Sequence, residues 1–311
     1  YNNLMYLTAG YLVGTIQGTT WEEGIRALVL DPLGMRRTNF RVGESRRDPD
    51  HALGYRARND TIERVPFRDI SNVGPAGSIN SSVEEMARWV TLLLDDGKLA
   101  GTQVVEAATV RDMFRPYTPI AGLNPANPEL GPSSYGLGWF VDSYRGRYRA
   151  QHGGNIDGFT AAVQLLPTER TGVVVLANQN GAPLPELVAR HVFDRLLGGD
   201  RRDWNAEALA QRDAARAGQR RMEGDKEKAR VTGTTPSRAI AAFAGTYADS
   251  GYGAVTVSLV RDSLAVDYHG IRATLRHWHY DTFASAGNDD DTTHGDRLGS
   301  FRDSARGRID A

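Results

Sequence analysis

Apolar residues at the start of the chain fall at helical spacing. Leu4, Leu7, Tyr11, Leu12 and Ile16 form one stripe, and Gly18 follows it. This predicts an opening helix. Thr20 then stands three residues before Glu23. That spacing predicts a capping box, in which each side chain satisfies a free backbone N–H of the helix start. The helix it opens should turn Ile25, Leu28 and Val29 inward and stop at Pro32. Ser82 and Glu85 repeat the device ahead of a helix that buries Val83, Met86, Val90 and Leu93 and ends near Gly97. A short helix is expected over 106–114.

The period changes beyond that point. Residues 117–134 are rich in Pro, Gly and Asn and read as a long loop. Strands are expected over 135–141 and 148–151. Over 160–166, Ala161, Val163 and Leu165 alternate on one face, and 172–177 is a continuous apolar run. The short connection 167–171 makes these two an antiparallel hairpin in a mostly buried sheet. A helix over 184–197 should cover that sheet. From Asp200 to about Ser237 the chain is charged and Ala-rich and reads as a polar helical linker. Short β-like segments follow at 254–259, 263–268 and 273–280, separated by Gly and Asp. The expected organisation is therefore an α/β (α+β) fold over 1–199, with an antiparallel sheet flanked by helices. A linker over 200–237 and a small all-β module over 238–311 complete it.

Composition narrows the chemistry. The 311 residues are 40% hydrophobic and 24% charged, with a net charge of -1. That is ordinary globular composition, and it gives no reason to expect a nucleic-acid or anionic-membrane partner. No apolar run approaches the roughly 18 residues of a spanning helix. The chain has no cysteine, which excludes disulfides, thiolate metal sites and a cysteine nucleophile. It opens on Tyr1, without a methionine, and ends on a polar stretch. The expectation is a piece of a longer chain. A signal region and the compartment are not legible in such a piece.

A serine nucleophile needs a base, and one solution is a lysine one helical turn on. The three lysines are Lys98, Lys226 and Lys228, and Asp95, Glu223 and Asp225 stand three residues before them. No Ser-x-x-Lys is therefore present, and there is no Gly-x-Ser-x-Gly elbow. Ser78, Ser81 and Ser82 invite a nucleophile reading, but Ser82 is better explained as a helix cap. Tyr135 and Trp139 fit the core better than a cleft wall. His277 and His279 alternate along one strand without a clear third ligand, so no metal is expected. Asp289, Asp290 and Asp291 lack the spacing of a calcium loop and read as a solvated turn.

Two motifs remain. Tyr1-Asn2-Asn3 opens the chain, and His152-Gly153-Gly154-Asn155 precedes the hairpin. With Asp31-Pro32-Leu33-Gly34-Met35, Pro75-Ala76-Gly77-Ser78 and Tyr135-Gly136-Leu137-Gly138-Trp139, they give the chain its family likeness. It resembles the serine β-lactamase-related hydrolases, a group of class C β-lactamases, DD-peptidases, D-aminopeptidases and esterases. The likeness covers roughly residues 1–205. The segment Phe243-Ala244-Gly245-Thr246-Tyr247 resembles the lipocalin-like module appended to some members.

The resemblance implies roles. Tyr1 would be the general base and Asn3 its polar partner toward the substrate amide and a lysine outside the chain. His152 would take the place of the lysine in the third motif. The Asn155 N–H would supply half of an oxyanion hole, and Gly153 and Gly154 would let substrate lie against the strand. A free phenol titrates near ~10, so the base needs positive charge beside it. The histidine form of the third motif points toward a peptidase or esterase rather than a β-lactamase. The family needs no cofactor, and membership implies a periplasmic or secreted setting, with self-association as an open option. Two rivals stand beside this reading. One is a non-catalytic ligand-binding or sensor protein on the same fold, and the other is a metal-dependent hydrolase built on His277 and His279.

Overall fold

The computed structural model describes residues 1–58, 61–122, 129–198, 202–286, 298–303 and 309–310. The chain divides into two units, Tyr1–Leu209 and Ala210–Ala311. In the first, six antiparallel strands form a sheet. From one edge to the other these are Thr171–Ala177, Phe159–Leu166, Arg147–Ile156, Phe140–Tyr144, Ser134–Tyr135 and Thr118–Pro119.

Helices cover both faces of this sheet. Helix Val83–Leu94 places Val90 and Leu93 against Val141, Ala150 and Leu165. Helix Leu184–Leu197 places Phe193 against Tyr144 and Leu166 on the other face, with Trp204 beside them. Leu165, Leu166 and Phe193 have no exposed surface. Each side chain of this kind contributes about 1.5–3 kcal/mol when fully buried.

The second face also holds charge. Arg149, 2% exposed, donates to both oxygens of Asp142 at 2.8 Å and to Gln164 Oε1 at 3.1 Å. The Asp194 carboxylate accepts from Tyr144 Oη at 2.6 Å and from Trp204 Nε1 at 2.7 Å. Burial and the Asp194 carboxylate push the Tyr144 phenol well above its ordinary value.

Several elements depart from the expectations. The opening helix runs Asn3–Gln17 and does have a cap, since Asn2 Oδ1 accepts from Leu4 N at 2.8 Å. The predicted stripe faces outward: Leu4, Tyr11, Leu12 and Ile16 are each more than half exposed. The helix packs instead through small residues. A Cβ on Gly10 would stand 2.3 Å from Pro75 Cγ, and one on Gly14 would stand 2.8 Å from the Thr19 carbonyl oxygen.

Pro32 does not stop the second helix. Trp21–Ile25 runs through a π turn, Arg26–Leu30, into Asp31–Leu33. The wider turn bonds Asp31 N–H to the Arg26 carbonyl and sets Pro32 at the start of the last segment, where its missing N–H costs nothing. Gly34, at φ +66°, ends it. Leu28 is exposed and Leu30 is buried in its place.

The capping box at Thr20 and Glu23 forms in full. At Ser82 only half of it forms. Ser82 Oγ accepts from Glu85 N at 3.3 Å, but the Glu85 carboxylate turns to Arg37 N, Thr38 N and Thr38 Oγ1. Burial would raise the Glu85 carboxyl, and the hydrogen bonds from Thr38 and Arg37 outweigh it and lower it. The strand expected over 135–141 is two strands. Gly138, at φ +85°, turns the chain back between them, and Tyr135 pairs with Phe140.

The second unit holds six antiparallel strands in sequence order, Gly245–Asp249, Gly253–Val260, Ser263–Tyr268, Ile271–His279, Thr282–Ala286 and Leu298–Ser300. Phe243, Val257, Leu264, Phe283 and Phe301 form its core. The connectivity is that of an up-and-down barrel. Among the described residues no pairing closes the last strand onto the first, so the sheet is a half-barrel and the lipocalin likeness is not established by it. Helix Trp204–Lys228 occupies most of the expected linker.

Candidate active site

The Asn2 cap fixes how the chain enters the first helix. Tyr1 lies beside the first turn, and its Oη donates to Asn3 Oδ1 at 2.5 Å. The contact of Gly10 on Pro75 holds the helix against the segment 75–78. That gives this part of the family likeness a positioning role.

The strand Arg147–Ile156 brings the second motif to the first. The Tyr1 ring centroid lies 5.5 Å from that of His152 and 5.6 Å from that of Tyr135. His152 Nδ1 lies 2.7 Å from the Gly153 carbonyl oxygen, which only accepts, so Nδ1 carries the proton. In the neutral ring Nε2 is then an acceptor, and Tyr135 Oη donates to it at 3.0 Å. Tyr6 Oη in turn donates to Tyr135 Oη at 2.9 Å. Burial first, then the hydroxyl of Tyr6, push the Tyr135 phenol far above its ordinary value, so it stays a neutral donor.

The motif His152–Asn155 lies at the end of the strand Arg147–Ile156. Its other neighbour, Phe140–Tyr144, pairs only as far as Gln151, while Phe159–Leu166 pairs along the whole of 152–156. One side of the backbone from His152 onward is therefore unpaired in the sheet. In an antiparallel ladder alternate residues direct their N–H and C=O to opposite sides. The Gly153 carbonyl, free of the ladder and met by the His152 ring, marks the open set, and Asn155 is two residues on. An N–H on that edge is a donor without a strand to receive it.

Gly153, Gly154 and Asn155 are exposed. A Cβ on Gly153 or Gly154 would meet nothing closer than 3.4 Å, and neither has a positive φ. The fold itself therefore demands neither glycine. The Asn155 side chain is not idle: its Oδ1 accepts from Gly181 N at 2.7 Å. It ties the strand end to the loop before helix Leu184–Leu197. A cavity of about 320 Å³ runs beside the open half, against Asn155, Thr160 and Glu186.

Tyr6 was not anticipated, and Tyr135 was assigned to the core. Tyr135 is indeed 8% exposed, but its hydroxyl belongs to the site. Of the three serines, Ser81 Oγ bonds Thr38 Oγ1 at 2.7 Å, Ser82 caps its helix, and Ser78 is buried. His277 Nε2 bonds the Tyr280 carbonyl at 2.8 Å, and a bulge separates it from His279, whose Nδ1 accepts from Val231 N. Among the described residues no three His, Asp or Glu side chains group as metal ligands. The run at 289–291 lies outside the described residues. Among those residues no helix is long and apolar enough to cross a membrane.

Comparison with known proteins places the chain in a family. A family described as Beta-lactamase matches residues 1–197, and one described as Domain of unknown function (DUF3471) matches 229–311. The chain belongs to the Beta-lactamase family, a family of hydrolases with the penicillin-binding-protein-like fold. It is 32% identical over 310 residues to the unguisins hydrolase ungD of Aspergillus violaceofuscus, across 89% of this chain and 52% of that protein. It is 24% identical over 212 residues to protein flp of Staphylococcus aureus, across 68% of this chain and 39% of that protein. The chain thus spans about half the length, or less, of the curated relatives it matches. Among solved structures, the octameric penicillin-binding protein homologue from Pyrococcus abyssi superposes with a TM-score of 0.58 at 20% identity. That match covers 97% of this chain and 60% of the other.

Proposed function

We propose that the longer protein to which this chain corresponds is a serine hydrolase that cleaves amide or ester bonds through an acyl-enzyme. The observation that carries this reading is the meeting of Tyr1 and Asn3 with His152, from distant parts of the chain, beside an unpaired strand edge. In this reading a Ser-x-x-Lys segment outside these 311 residues supplies the nucleophile. Its Oγ attacks the substrate carbonyl carbon while Tyr1, held as the phenolate by the positive charge of that segment's lysine, takes the hydroxyl proton. The carbonyl oxygen becomes an oxyanion held by the Asn155 N–H and the serine's own N–H. Tyr1 returns the proton to the leaving nitrogen or oxygen as the carbon–heteroatom bond breaks. Water then repeats the attack on the ester and frees the acid.

His152 stands where a β-lactamase has a lysine, which favours peptidase or esterase chemistry over penicillin hydrolysis. A relative named as a hydrolase of unguisins supports the hydrolase class. Within the longer protein we assign residues 1–199 to the hydrolase part, 200–237 to a helical linker and 238–311 to an appended β module. The octameric homologue makes self-association worth measuring by light scattering.

The test is an assay of the longer protein on small esters, D-amino-acid amides and penicillins. Turnover of the first two should exceed that of penicillins, and Tyr1→Phe should lower it about 10²–10⁴-fold, the usual contribution of a general base. The 311-residue chain alone should turn over none of them. Turnover that survives Tyr1→Phe ends the reading. Ligand binding without turnover would leave a sensor on the same fold.

A further inference from the structure

A second cavity, of about 410 Å³, opens beside the hairpin Gly54–Arg58/Thr61–Val65. Its lining is unusual in charge. Arg46, His51 and Arg64 line it together with Leu53, Val65 and Phe67, and no acidic side chain does. The carboxylates nearby already have partners. Asp48 and Asp50 pair with Arg37, Glu63 pairs with Arg56, and Asp157 pairs with Arg68. The Arg46 and Arg64 side chains form no hydrogen bond or ion pair with any described residue, and the Arg46 guanidinium rests 5.4 Å from the Phe67 ring centroid. His51 Nδ1 donates to the Asp48 carbonyl at 2.6 Å, and Nε2 has no partner among the described residues.

The walls are rigid on the apolar side. Phe67 stacks on Phe159 with centroids 5.8 Å apart and planes 8° from parallel. A Cβ on Gly158 would stand 2.6 Å from Gly54 Cα, so the two backbones are in close contact. Two arginines at the rim of one cavity give it a positive potential that an anion would offset. An apolar wall with a cationic rim suits a ligand with an apolar body and one negative group.

We infer that this cavity binds a small organic carboxylate, its carboxylate between Arg46 and Arg64 and its apolar body against Phe67 and Val65. The inference concerns binding alone and does not depend on the hydrolase reading. Calorimetric titration of the 311-residue chain with phenylacetate and with its neutral isostere phenylacetamide tests it. The chain should bind phenylacetate about tenfold more tightly or better, and added salt should narrow the gap. The double variant Arg46→Gln/Arg64→Gln should lose the preference while keeping its melting temperature, and Arg46→Lys/Arg64→Lys should restore part of it. Tyr1→Phe should leave it intact. Equal affinity for the two probes, or a preference that survives the double Gln variant, overturns the inference. A preference lost in Tyr1→Phe would assign the anion to the Tyr1 site and overturn it as well.

Discussion

The strand Arg147–Ile156 has two halves with opposite characters. In the first, Arg149 and Ala150 are buried, both neighbouring strands pair, and the ionic side chain has its full set of partners. In the second, one neighbour has ended, three residues are exposed, and two glycines stand where the fold would accept a side chain. Packing accounts for Arg149 and Ala150 in the first half. It does not account for Gly153 and Gly154, which the proposed function assigns to substrate access.

The largest test of that contrast is Asp142→Ala. It strands Arg149 in the interior and should cost about 3–5 kcal/mol of unfolding free energy, read by urea denaturation. Replacing both partners together, Asp142→Leu with Arg149→Met, should recover most of that loss. Tyr135→Phe comes next. It removes the donor to His152 Nε2 and the acceptor for Tyr6, and should cost about 1–2 kcal/mol, the net worth of two typical hydrogen bonds. Gly154→Ala should be the smallest in stability, raising it or changing it by less than about 1 kcal/mol. In the longer protein the same change should cut turnover about tenfold or more, because the added methyl group displaces substrate from the strand. If Gly154→Ala destabilised the chain as Asp142→Ala does, the open half would be structural and the contrast would fail.

The same contrast governs what the sequence could tell. Helix Leu184–Leu197 and the hairpin after Ile156 were legible, because periodicity reports burial on a single element. The outward stripe of the first helix was not. Its packing runs through Gly10 and Gly14 against backbone and Pro75, and close approach by small residues leaves no hydrophobic signal. Pro32 misled because a π turn changes which N–H is needed. Tyr1, Asn3 and His152 were found through motif likeness, and the structure brings them together. Tyr6 was invisible and Tyr135 was read as core rather than cleft, since nothing local marks a hydroxyl that will meet an imidazole from another strand.

That chain of hydroxyls has a polarity. With Nδ1 committed to the Gly153 carbonyl, every hydrogen from Tyr6 through Tyr135 to His152 points the same way. With a proton on Nε2, Tyr135 would accept from the ring, and its own hydrogen would be free to turn toward Tyr6. Tyr6 sits on the helix that begins beside Tyr1. The row thus offers a path by which charge on the strand could be felt at that helix through hydroxyl rotation alone.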